Sequence, residues 1–137
     1  MSQESNQLLK SFEAYDSLPA YRIVAPLSTT TVDYVRVVRW GTTTGYMIGT
    51  SWGEASVSGV AVPVVVAGSG RVACGASVSS GSLITGTTTG FAIEAVNVLN
   101  TTTTVIPRCL GVGLQVGDTN SVIEVLIQPL HLRVAFA

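Results

Sequence analysis

From residue 21 onward, no stretch of this 137-residue chain sustains a helical period of apolar residues. Val, Ile and Thr instead recur in short runs, broken by Gly or a small polar cluster every eight to twelve residues or so. β-Branched side chains lose rotamer freedom in a helix and pack well on a pleated surface, so runs punctuated in this way predict an all-β fold. The expected strands are 21–25, 32–40, 46–50, 60–66, 71–74, 83–85, 91–95, 105–112, 122–127 and 130–136. In the last of these, Leu130, Leu132, Val134 and Phe136 fall on one face and His131, Arg133 and Ala135 on the other, so the first face must be buried.

Val60, Val62, Val64 and Val66 have apolar neighbours, Ala61, Val65 and Ala67, on the opposite face. Such a strand is expected to be covered on both sides, by core on one and by another subunit on the other. Pro63 cannot donate to a ladder and argues for an edge or a bulge. Val62, Val64, Leu130, Leu132, Val134 and Phe136 are therefore the candidate subunit-interface residues.

The first 19 residues differ from the rest, having no Gly, no Val and three of the eight acidic groups. Leu8, Leu9, Phe12 and Tyr15 recur at near-helical spacing before Pro19. The organisation read from this contrast is an extended or partly helical N-terminal arm, 1–19, followed by one β-rich domain, 20–137. Leu8, Leu9, Phe12, Tyr15 and Tyr21 are the arm's candidate contact residues. No apolar h-region precedes them, so the segment does not read as a signal peptide, and synthesis in the cytoplasm is expected. The charge-free run 72–93 is long enough to span a bilayer, but glycines and hydroxyls interrupt it throughout, which excludes a membrane helix.

The pentapeptide GTTTG occurs at 41–45 and again at 86–90, each time followed by an aromatic residue that opens a strand, Tyr46 or Phe91. Hairpin loops are the simplest reading, with a duplicated half-domain as the alternative.

Charged residues make up only 11% of the chain against 47% hydrophobic, and the net charge is −1. With six scattered arginines and a single lysine, Lys10, there is no basic footprint for nucleic acid. So few charges also leave strand edges and apolar surface poorly protected, which suits a protein covered by partners. Cys74 and Cys109 are far apart, with no CxxC and no nearby His, and read as buried free thiols.

The chemistry of a catalyst is not assembled in any motif. The segment 63–73, PVVVAGSGRVA, matches a loose GxGxxA, but no helix pattern follows to present amides to a pyrophosphate, so a hairpin turn is expected and no cofactor. His131 has no second ligand or acid at a useful spacing, and Asp33, Glu54, Glu94, Asp118 and Glu124 are scattered singly. No metal, cofactor or catalytic residue is expected, and an enzyme is disfavoured. Trp40, Trp52, Tyr34 and Tyr46 could serve surface contacts, although core positions are the plainer reading.

Residues 52–127, with GVAVPVVVAGSGRVACGASVSSGSLI, then GTTTGFAIEA, then PRCLGVGLQVGDTNSVIEVLI, resemble the capsid decoration, or cement, proteins of tailed bacteriophages. The segment 21–49 is also similar, whereas Thr101 to Thr104 and the strand 129–137 depart from the pattern. The resemblance implies a compact barrel-like or tulip-like β domain. It would sit as homotrimers on the outer surface of the phage head and clamp neighbouring major capsid proteins, with no nucleic acid or membrane as partner. Another virion component, a head fibre base or a tail protein, is the alternative. A small enzyme or ligand-binding barrel is the reading from outside that class.

Overall fold

The computed structural model describes residues 7–27, 36–39, 47–87, 89–95 and 108–131. The fold is all-β, with no helix among the described residues. Nine strands follow one another: β1 (Gln7–Ala14), β2 (Ile23–Leu27), β3 (Arg36–Arg39), β4 (Gly49–Ser51), β5 (Ala61–Ala73), β6 (Leu83–Gly86), β7 (Ala92–Glu94), β8 (Arg108–Gly113) and β9 (Val122–His131). They form one sheet in the order β1-β3-β2-β4-β5-β9-β8-β6-β7, with an extra β1–β5 pairing.

That extra pairing closes β1, β3, β2, β4 and β5 into a ring, which removes the unpaired edges of an open sheet. A second ring shares β5 and runs through β9, β8, β6 and β7. It closes where Cys74, the residue after β5, bridges Ala92 of β7 in parallel, and Gly75 N–H donates to the Ala92 carbonyl at 2.8 Å.

The two rings are built alike. β1 is parallel to β3 as the end of β5 is parallel to β7, and the four antiparallel pairings of the first ring recur in the second. Leu18 and Ala55 exchange backbone hydrogen bonds of 2.8 and 2.8 Å, and Val78 and Gly117 do the same at 2.8 and 3.0 Å. The turns that follow need a left-handed residue in each case, supplied by Tyr21 (φ 61°), Gly59 (90°), Gly81 (84°) and Asn120 (70°). The chain is thus a structural duplication. The two GTTTG copies do not mark it, because 86–90 connects β6 to β7 whereas 41–45 lies between β3 and β4, which correspond to β7 and β8. The hairpin expected at 41–45 lies outside the described residues; at 86–90 the turn is present, with Thr87 and Phe91 bonded across it at 2.8 Å.

Several expectations are corrected. Residues 7–14 are neither a helical turn nor an extended arm: β1 pairs with β5 from Gln7↔Gly68 to Glu13↔Ala61, and Ala14 and Leu18 are buried. Closing the ring satisfies the backbone along β1, which a lone helical turn could not. The segment 60–74 is not two strands around a turn. β5 runs through Gly68 and Gly70, because a Cβ at Gly70 would stand 2.5 Å from the Ile127 Cδ1 and 2.8 Å from the Thr50 Oγ1, so the glycine permits close packing inside a strand. Likewise 122–127 and the start of 130–136 are one strand, β9, continuing through Pro129.

Nor is β5 an edge. Its Pro63 pairs with Ser11 of β1 and accepts a hydrogen bond from Trp52 N–H at 2.8 Å on the other side, where β4 has ended at Ser51. Val62 and Val64 have no exposed surface and pack with Ala14, Leu18, Val24, Val37 and Ala55 in the first ring. On the opposite face, Val65 joins the larger core of Ile23, Met47, Val72, Val78, Ile84, Leu110, Ile123, Val125 and Ile127. On this second face Val65 is thus covered by the chain's own second core, whereas Ala61 is exposed and Ala67 half-buried. Each such valine contributes about 1.5–3 kcal/mol through burial.

Candidate functional site

Among the described residues no group of three or more His, Cys, Asp or Glu side chains is placed to hold a metal ion. The separate carboxylates hold turns together. Glu94 accepts from the Ser79 N–H at 2.6 Å and from the Ser82 hydroxyl at 3.3 Å, and Asp118 accepts from the Ser77 hydroxyl at 3.3 Å. Glu54 is exposed, and Asp33 lies outside the described residues. His131 ends β9 opposite Arg108. Cys74 and Cys109 are both buried and free. Burial raises both thiols above their ordinary value, and the negative charge of Asp118 pushes Cys74 up further.

The surface is distinguished by exposed apolar side chains. Leu8, at 54% exposure, and Leu9, at 44%, are neighbours on β1, and Tyr15 stands just beyond the strand at 45%. The β1–β5 register shifts between Leu8 and Leu9, and both side chains are left exposed at this irregularity. Leu8, Phe12, Pro26, Met47, Ile48 and Val66 line an apolar groove, with Lys10, of about 560 Å³. A second exposed group, Leu114, Val116 and Val122, surrounds the turn between β8 and β9.

Of the residues expected to make arm contacts, Leu8, Leu9 and Tyr15 are thus exposed and share one strand and its end. Phe12 is half-buried against the first core, and Tyr21 is half-buried with its ring edge-on to Trp52, centroids 6.1 Å apart. Of those expected at a subunit interface, Val62 and Val64 are in the core. Leu130 of β9 pairs with Cys109 of β8, and Leu132, Val134 and Phe136 lie outside the described residues.

A further constellation was not legible in the sequence. Gln7, Trp52, Ser69, Gly70, Arg71 and Glu124 line a pocket of about 260 Å³ where β1, β5 and β9 meet. The Arg71 guanidinium lies over the Trp52 ring, 5.8 Å from its centroid, and the Gln7 side-chain amide donates to the Ser69 carbonyl at 2.7 Å. Only the rarity of Trp in this chain signalled any of it; the spacing of the other residues carries no motif.

No family model and no curated protein matches the chain. Among solved structures, the chain is similar to the N base of the head fibre protein gp8.5 of bacteriophage phi29, with a TM-score of 0.63 and 12% sequence identity. The likeness covers 95% of this chain and 99% of that one. The two share a fold over essentially their whole length.

Proposed function

We propose that this chain is a non-enzymatic structural protein of a bacteriophage virion, made in the host cytoplasm and bound as homotrimers to the outside of the head, where it cements neighbouring major capsid proteins. The observation that carries the reading is the full-length likeness to a phage head-fibre base, joined to the sequence resemblance to capsid decoration proteins. The sparse charge and the exposed Leu8, Leu9 and Tyr15 support it, since apolar surface of this kind is best explained by a partner that covers it. A trimer presents the strand three times, and multivalent attachment holds a weak contact in place. Neither nucleic acid nor membrane is required.

The name of the phi29 neighbour favours a second reading, in which the chain is the base of a head fibre. Co-sedimentation with emptied heads, followed by electron microscopy, separates the two. Compact trimers between capsid subunits are expected for cementing, and projecting fibres for a base. Substituting Leu8→Glu and Leu9→Glu is expected to abolish binding while leaving a folded protein. Absence of the wild-type chain from heads would overturn both readings.

A further inference from the structure

The pocket at the seam of the two rings is placed where the duplication exposes what the fold itself requires. Arg71 and Glu124 are cross-strand partners in the β5–β9 ladder, and the equivalent pair in the β1–β5 ladder is Ser11 and Pro63. Trp52 N–H donates to the Pro63 carbonyl, and the equivalent bond runs from Leu114 N–H to the Glu124 carbonyl, so Leu114 stands where Trp52 does. At these equivalent positions one ring carries Ser11, Pro63 and Trp52 and the other Arg71, Glu124 and Leu114, and the pocket gathers Trp52 from the first and Arg71 and Glu124 from the second. Backbone geometry demands none of these three side chains, since the same backbone is built with Leu114 in the place of Trp52 and with Ser11 and Pro63 in the places of Arg71 and Glu124.

Opposite charges directly across a ladder ordinarily pair. Here no ion pair joins Arg71 to Glu124 among the described contacts; Arg71 lies over Trp52, and both side chains line the same cavity. The Tyr21 edge steadies the indole, and Tyr21 holds a left-handed backbone, φ 61°, where its counterpart Gly81 adopts that conformation freely. The cavity presents an aromatic ring, a donor in Arg71, and acceptors in Glu124 and the Gln7 amide oxygen, whose nitrogen is already engaged with Ser69.

From this arrangement we infer that the pocket binds one ring of a neutral saccharide. A sugar ring offers C–H groups on its face to an indole and hydroxyls around its rim that both donate and accept. A mixed Arg and Glu lining answers both roles, whereas a simple anion would be repelled by Glu124 and a cation by Arg71. At about 260 Å³ the cavity falls below the roughly 300–1,000 Å³ of sites for drug-sized ligands, so it takes a single ring with the remainder of a glycan outside. This inference does not depend on the virion reading, and its test requires no phage heads.

The test is titration of the isotope-labelled full chain with maltotriose, with chitotriose and, separately, with inorganic sulfate, following the Trp52 indole N–H by nuclear magnetic resonance. A saturable shift of that signal with a sugar at millimolar concentration is expected. Glu124→Gln and Arg71→Ala should each weaken it about tenfold or more, the effect of losing one charge-assisted hydrogen bond. Both positions are at the surface, and an unchanged spectrum away from the pocket will show that the variants are folded. A Trp52 shift with sulfate alone, a sugar response unaltered by both substitutions, or no saturable response to either sugar would overturn the inference.

Discussion

A Cβ on Gly111 would collide with the carbonyl oxygen of Leu126, and one on Gly49 would collide in the same way with that of Val65. The two glycines are equivalent positions of the duplicated ring, and each lets its short strand pass close against the long strand beside it. Gly49→Ala and Gly111→Ala are each expected to destabilise the protein by roughly 3 kcal/mol, because the obstacle is backbone and cannot rotate aside. Urea unfolding of the two variants checks this, and a loss below about 0.5 kcal/mol, the level of a neutral surface change, would show that the strands separate freely.

Sharing β5 ties the two cores together. Val64→Ala in the first ring and Leu110→Ala in the second each remove a fully buried side chain, at about 1–2 and 2–5 kcal/mol respectively. Both are expected to shift one common unfolding transition, seen by tryptophan fluorescence and by circular dichroism alike. Two separated transitions would mean that each ring folds alone.

Removing residues 1–19 is expected to unfold the protein or nearly so. The deletion takes away β1, opens the first ring and strips Ala14 and Leu18 from its core. Loss of the cooperative transition in the truncated chain is the expected result. A truncated chain as stable as the whole would show that the segment is an appendage after all.

The buried thiols predict a pH dependence with a definite sign. Their folded-state values lie above the ordinary 9.0 because burial disfavours the thiolate, with Asp118 adding to the effect at Cys74. Below about pH 9 both states keep the thiols protonated and their contribution to stability is fully present; above it the unfolded chain releases protons that the folded chain retains, so stability falls as pH rises. Urea unfolding between pH 7 and pH 10.5 or so is expected to show this decline, and replacing both cysteines by alanine should flatten it. The native thiols should also resist iodoacetamide at neutral pH and react once the chain is unfolded.

The punctuated Val, Ile and Thr runs, the missing helical period and the two unpartnered cysteines were enough to read the all-β class and the buried thiols from sequence. Strand positions followed to within a few residues where turns carry Gly or Asn, as at Gly81 and Asn120, because those turns need left-handed backbone that few residues supply. Apolar spacing misled at 7–14, since Leu8, Leu9, Phe12 and Tyr15 suit a helical turn and a strand alike over so short a span.

What the sequence by itself determined is which segments extend and which side chains must leave water, since both follow from local sterics and hydrophobicity. Tertiary structure alone decided which strands meet. Gln7 pairs with Gly68, and Gly68 with Ile127, across separations that no local period encodes. Gly68 and Gly70 read locally as a turn, yet lie inside one strand, where Gly68 takes a left-handed φ of 86° and Gly70 makes room for Ile127 and Thr50. The duplication was hidden for a related reason: equivalent positions share a backbone role and not a side chain, as Trp52 and Leu114 do. The pocket of Gln7, Trp52, Arg71 and Glu124 exists only because two ring closures bring the beginning, middle and end of the chain to one seam.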